Sequence, residues 1–153
     1  MQLLALSAAF PDRTFEAVTV GRGQVRPSRV ARLFAPEEPH EILHRLVALH
    51  DEAMCGPLPL PLATSLAYAH PRTGGGDEAD ALTSARTELG TAEDAAAGRG
   101  GFEAVDDYHL LAFGDPVRFD RLLVEKVAGP ESTRFGALSM ALWSDLIAHE
   151  EVG

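Results

Sequence analysis

The chain has one cysteine, Cys55, which excludes an internal disulfide and any multi-cysteine metal cluster. Such sparing use of thiols fits a reducing cytoplasm. No run approaches the ~20 consecutive apolar residues that a membrane-spanning helix needs, and the opening Met1 to Phe10 lacks the basic start of a secretory signal. A cytoplasmic chain with no membrane partner is therefore expected. Lysine is as scarce as cysteine, with Lys126 alone. Acids are missing between Ala17 and Pro36, where Arg22, Arg26, Arg29 and Arg32 supply four positive charges. Elsewhere the balance reverses. The formal net charge is −10, and from Asp77 to Asp107 nine acids face only Arg86 and Arg99, a local net of −7. That excludes a surface that binds nucleic acid throughout, and leaves one short basic stretch suited to phosphates or to an acidic partner. With 153 residues, 46% of them hydrophobic, the chain can bury one core, so a single domain over residues 1–153 is expected.

The most explicit chemical pattern is His40-Glu41-Ile42-Leu43-His44, an H-E-x-x-H sequence. On a helix it sets two imidazoles one turn apart with a glutamate beside them, the arrangement that holds zinc and activates a bound water. His50 falls where one zinc-protease class places its third ligand, but that class needs glycine where Val47 stands. If the helix continues, His50 points roughly 80° from His40 and 120° from His44, too far round to close the site. The same residues also read as an ordinary amphipathic helix. Pro39, Ile42, Leu43, Leu46, Val47, Leu49, Ala53 and Met54 make an apolar face, with Pro39 and acids at its start, Gly56-Pro57 as its stop and Cys55 closing the face. With six histidines and 23 acids in the chain, such a motif arises readily by chance.

Met1 to Phe10 reads as a short apolar helix without an N-cap, like the tail of a longer element. Thr14 to Val20 alternates as a strand, closed by the turn Gly21-Arg22-Gly23, and Arg26 to Phe34 reads as a second, edge-type strand with outward arginines. Gly56 to Leu62 is a proline-pinned connector and Ala63 to His70 a short helix. Pro71 to Gly76 reads as a flexible loop. Asp77 caps an acidic helix to Leu89, and Gly90 to Ala104 reads as a mobile loop. Asp106, Asp107 and His109 shape the start of the apolar run that follows. Asp115 to Val127 reads as a helix with Pro116 in its first turn. Ser132 to Glu150 reads as a terminal helix capped by Ser132 or Thr133, with Phe135, Leu138, Leu142, Trp143, Leu146 and Ile147 as its apolar stripe.

Several of these stretches resemble the C-terminal region of the exodeoxyribonuclease V gamma chain, the RecC family, in its actinobacterial form. They are L-L-A-L-S-A-A-F-P-D-R at 3–13, F-E-A-V-T-V-G-R-G at 15–23, P-L-P-L-P at 57–61, D-D-Y-H-L-L-A-F-G at 106–114 and S-T-R-F-G-A-L-S-M-A-L-W-S-D-L-I-A-H-E-E at 132–151. The resemblance implies a partial, catalytically inactive nuclease-like sheet with packed helices, of the restriction-endonuclease kind. In active relatives of that fold, magnesium-holding acids and an acid-x-Lys pair lie on strands before the helix matching Gln2 to Phe10. The resemblance implies that those strands lie outside this sequence, so no metal-dependent nuclease site is expected to carry over onto any residue.

The fold class expected is α/β or α+β. The resemblance implies a non-catalytic structural and interaction domain of a RecBCD-type complex that processes DNA double-strand ends for repair and recombination. It would have no cofactor and would have RecB-like and RecD-like partners. Self-association through the face left by the absent strands is a further expectation. If DNA touches the chain, Arg22, Arg26, Arg29 and Arg32 are the expected phosphate contacts, which position without reading sequence. The competing reading is a small zinc hydrolase with His40, His44 and His50 as ligands and Glu41 as general base.

Overall fold

The structure is a computed structural model that describes residues 2–21 and 29–153. It is a mixed α/β chain in which helices dominate and the one sheet is small and antiparallel. The elements divide into two compact units, one made of Met1–Glu52 with Asp145–Gly153 and the other of Ala53–Ser144.

In the first unit, α1 (Gln2–Ala9) follows its apolar sequence and ends where Pro11 denies the ladder a donor. The Phe10 ring lies 6.4 Å from that of Phe15, which brings the chain round into β1 (Glu16–Gly21). β1 pairs antiparallel with β2 (Arg29–Phe34), Val18 opposite Arg32 and Thr19 opposite Ala31. β2 is not the edge strand that its arginines and Pro27 pointed to. It lies in the middle of the sheet, because β3 (Glu150–Val152) pairs with its other side, Val152 opposite Ala31 and Glu150 opposite Leu33. Three residues at the far end of the chain therefore decide the sheet order. The helix α2 (Pro39–Cys55) starts at the proline and stops before Gly56-Pro57, as its sequence dictates. Ile42 is its buried residue, and Cys55 is exposed instead of closing the apolar face.

The second unit holds a well-formed core of Tyr68, Ala81, Ala85, Leu89, Ala104, Val117, Phe119, Leu122 and Phe135. The helix α3 (Leu62–Thr73) runs through Pro71, where a loop was expected. Its last turn is held from outside the helix: Arg72 donates to the Gly76 carbonyl at 2.6 Å and to Glu131, and the Gly76 N–H bonds the Pro71 carbonyl. α4 (Glu78–Leu89) begins at Asp77, whose carboxylate accepts from the Asp80 N–H at 2.8 Å.

The segment expected as a mobile loop is instead ordered into α5 (Ala92–Ala96) and a 3-10 turn (Phe102–Val105). Thr91 caps α5, and Gly90, at φ +62°, lets two stretches of backbone meet: an added Cβ there would lie 2.5 Å from the Gly101 Cα. α6 (Asp107–Phe113) follows under the Asp106 cap. Helix between Asp115 and Val127 is confined to α7 (Phe119–Leu122). Val117 lies outside any helix and its N–H donates to the Ala104 carbonyl, while Lys126 bridges Thr133, so both flanks have partners outside a helix. α8 (Arg134–Ala148) closes the chain's helical part, with the Thr133 hydroxyl accepting from the Gly136 N–H at 3.1 Å.

Candidate functional site

His40 and His44 are both exposed on α2, one turn apart, as their spacing requires. α2 runs unbroken past His50, which is also exposed and makes only a 3.5 Å contact to Asp51. An unbroken helix leaves His50 turned away from the other two. Among the described residues, no group of three or more His, Cys, Asp and Glu side chains is placed to hold a metal ion. Glu41 lines a cavity of about 410 Å³ in the first unit with Glu37, Glu38, Arg45, Asp145 and His149, and Arg45 there is ion-paired to Asp145.

Arg29 and Arg32 are exposed on β2. Arg32 pairs with Glu16 across the strands at 3.5 Å, with both side chains about half exposed. A pair so exposed is weak, and its arginine can exchange the carboxylate for another anion. Arg22 and Arg26 lie outside the described residues. The structure thus places two of the four arginines on one strand.

The second unit contains a polar centre that the sequence does not announce. The Tyr68 hydroxyl, on α3, donates to the Glu131 carboxylate, and Arg72 one turn later grips the same carboxylate with Nη2 at 2.7 Å and Nε at 3.2 Å. Glu78, at the start of α4, accepts from the Ser132 N–H and hydroxyl at 2.9 and 2.8 Å and from the Tyr68 hydroxyl at 3.4 Å. Burial pushes the Tyr68 hydroxyl well above the ordinary phenol range, and its bond to Glu131 pushes further in the same direction. The bond to Glu131 likewise raises Arg72. Burial works to raise Glu78, but the two Ser132 bonds, together with the Tyr68 bond and the Arg72 charge, hold the carboxyl below its usual range. Chemically, the centre clamps α3, α4 and the start of α8 together. Among the described residues no buried side-chain polar atom lacks a hydrogen-bond partner, as paired buried charge requires. Glu131 lies between Pro130 and Ser132 with no spacing that links it to Tyr68 or Arg72.

A second clamp uses Glu103. Its carboxylate accepts from the Ala63 and Thr64 N–H groups, both at 2.8 Å, and from the Thr64 hydroxyl at 2.6 Å. A carboxylate at the first turn of α3 meets the positive end of the helix dipole. Asp106 and His109 act in their own neighbourhood: Asp106 accepts from the Tyr108 and His109 N–H groups, and His109 Nδ1 lies 2.9 Å from the Glu103 carbonyl.

By architecture this is a mixed α/β protein in which Tyr68, Arg72, Glu78, Glu103 and Glu131 tie helices together. Residues 1–73 match the family model described as the RecC C-terminal domain. The chain is 38% identical over 157 residues to the RecBCD enzyme subunit RecC of two Mycobacterium tuberculosis strains, covering 97% of this chain and 13% of that protein. It is 45% identical over 76 residues to the RecBCD enzyme subunit RecC of Mycolicibacterium smegmatis, covering 49% of this chain and 7% of that protein. The chain is thus similar to RecC along nearly its whole length, and it spans about an eighth of the length of the curated relatives it matches. No solved structure matches it. Among the described residues no helix is long and apolar enough to cross a membrane.

Proposed function

We propose that the chain serves as a non-catalytic structural and interaction domain of a RecBCD-type complex that processes DNA double-strand ends in repair and recombination. The observation that carries this reading is the 38% identity to RecC over 97% of the chain. Two features agree with it. Tyr68 and Glu131, which are buried, and Arg72 and Glu103, which are half-buried, spend hydrogen bonds on clamps between helices. Large apolar side chains also stand exposed on both units, Val20 and Leu111 among them, which is the composition of surfaces that other protein covers.

The partners in this reading are RecB-like and RecD-like subunits in the cytoplasm. DNA, where it meets the chain, runs past Arg29 and Arg32, with Arg22 and Arg26 in the same acid-free stretch. The test is sedimentation of the purified chain mixed with RecB-like and RecD-like subunits. Co-sedimentation supports the reading. Independent boundaries at micromolar concentrations of all three would overturn it.

A further inference from the structure

The helix α6 (Asp107–Phe113) is unusual in having no buried residue, although it carries two leucines, a tyrosine and a phenylalanine. Tyr108 is 81% exposed and Leu111 86%. Three residues apart, they share one face of the helix. The opposite side is anchored. Phe113 packs against the core of the second unit, and the His109 ring lies 6.4 Å from it while its Nδ1 meets the Glu103 carbonyl. Both ends are fastened as well: Asp106 caps the first turn, and Gly114, at φ +80°, returns its N–H to the Leu110 carbonyl. A short helix that is pinned so firmly and yet turns Tyr108 and Leu111 to water is pre-organised for contact. Rigid aromatic and aliphatic anchors of this kind carry most of the energy of protein interfaces.

The charge around this face selects the occupant. From Glu103 to Asp115 there are four acids and no Lys or Arg, and Asp107 lies one helical turn before Leu111. Arg121 reaches this region only to donate to the Phe113 carbonyl at the other end of the helix. Nucleic acid would be repelled here. A second copy would set Asp107 and its neighbouring acids against the same acids, at a cost. We propose that the Tyr108–Leu111 face of α6 docks into an apolar pocket rimmed by Lys and Arg on another subunit of the complex. This rests on the reading of the chain as part of that complex, and it assigns the contact to a particular surface. The two side chains form the buried centre of the interface, and Asp107 meets the basic rim.

The experiment compares the wild-type chain with Tyr108→Ser/Leu111→Ser and Asp107→Lys variants, each titrated against the purified RecB-like and RecD-like subunits at several salt concentrations. Melting curves for each variant check the fold, which exposed substitutions leave intact. The double variant is expected to bind about tenfold or more weakly at all salt concentrations. Asp107→Lys is expected to weaken binding at low salt and flatten its salt dependence. Wild-type binding that persists unchanged in both variants would overturn the inference and leave the complex itself standing. Failure of the wild-type chain to bind would remove the complex reading and the inference together.

Discussion

Gly136 of α8 packs against the Tyr68 side chain so closely that a Cβ at this position would lie 2.6 Å from the tyrosine hydroxyl and 3.0 Å from Cζ. Tyr68 is fully buried, its ring edge-on to Phe135 at 5.4 Å and its hydroxyl held by Glu131, so it cannot swing aside. Gly136→Ala should destabilise the second unit by about 1–3 kcal/mol, an overpacking cost. Urea denaturation of Gly136→Ala, Tyr68→Phe and the double variant checks this. The double variant should lose less than the sum of the two, because removing the hydroxyl removes the closest part of the clash. Strict additivity would show that the contact is not the cause.

Tyr68→Phe by itself should cost on the order of 1–3 kcal/mol, the worth of a buried hydrogen bond to a charged partner. Its pH dependence has a definite sign. The folded hydroxyl holds its proton more tightly than the unfolded one, so its stabilisation is complete below the ordinary phenol range near 10.0 and declines as pH rises beyond it. Melting temperatures from pH 8 to 11 should fall more steeply for the wild-type chain than for Tyr68→Phe. Parallel curves would contradict the assignment.

Glu78 titrates with the opposite sign. Its folded carboxyl lies below the usual 4.5, so its contribution is present above that value and is lost as pH falls through the folded one. Glu78→Gln should therefore flatten the acid limb of the stability curve below about pH 4.5. An acid limb identical to that of the wild-type chain would dismiss the Ser132 contacts as a source of stability.

Glu103 is the sole side chain among the described residues seen to satisfy the Ala63 and Thr64 N–H groups at the start of α3. Glu103→Ala should cost about 1–3 kcal/mol, as loss of a charged cap does. Hydrogen exchange should speed up first at Ala63 and Thr64. Exchange that is unchanged at those two amides would show the cap to be dispensable.

The histidines and arginines are tested by direct binding. Elemental analysis of the purified chain beside His44→Ala should find no stoichiometric zinc in either, since α2 carries His50 away from His40 and His44. One zinc per chain, lost in the variant, would revive the hydrolase reading. Replacing Arg22, Arg26, Arg29 and Arg32 with alanine should weaken DNA binding by the assembled complex and reduce its salt slope. An unchanged slope would remove these arginines from the DNA path.

Much of this molecule is legible locally. Pro39 and Gly56-Pro57 bound α2, Asp77 and Asp106 cap the helices that follow them, Thr133 caps α8, and the alternation after Thr14 makes β1. Each of these signals acts within a few residues, through a hydrogen bond to the next turn or a repeat of side-chain direction, so the sequence by itself determines them. The RecC resemblance was legible in the same way, as short stretches in the right order.

Tertiary structure alone decided the rest. β2 became the central strand because Glu150–Val152 returned from the far end of the chain. α3 passed through Pro71 because Arg72 is bound to Glu131, and 90–104 became ordered because Gly90 and Gly101 meet backbone to backbone. Tyr68, Arg72, Glu78 and Glu131 form one centre although no periodicity connects them. Such pairings join residues that are remote in sequence, and their stability comes from excluding water at a junction that exists only once the helices have packed.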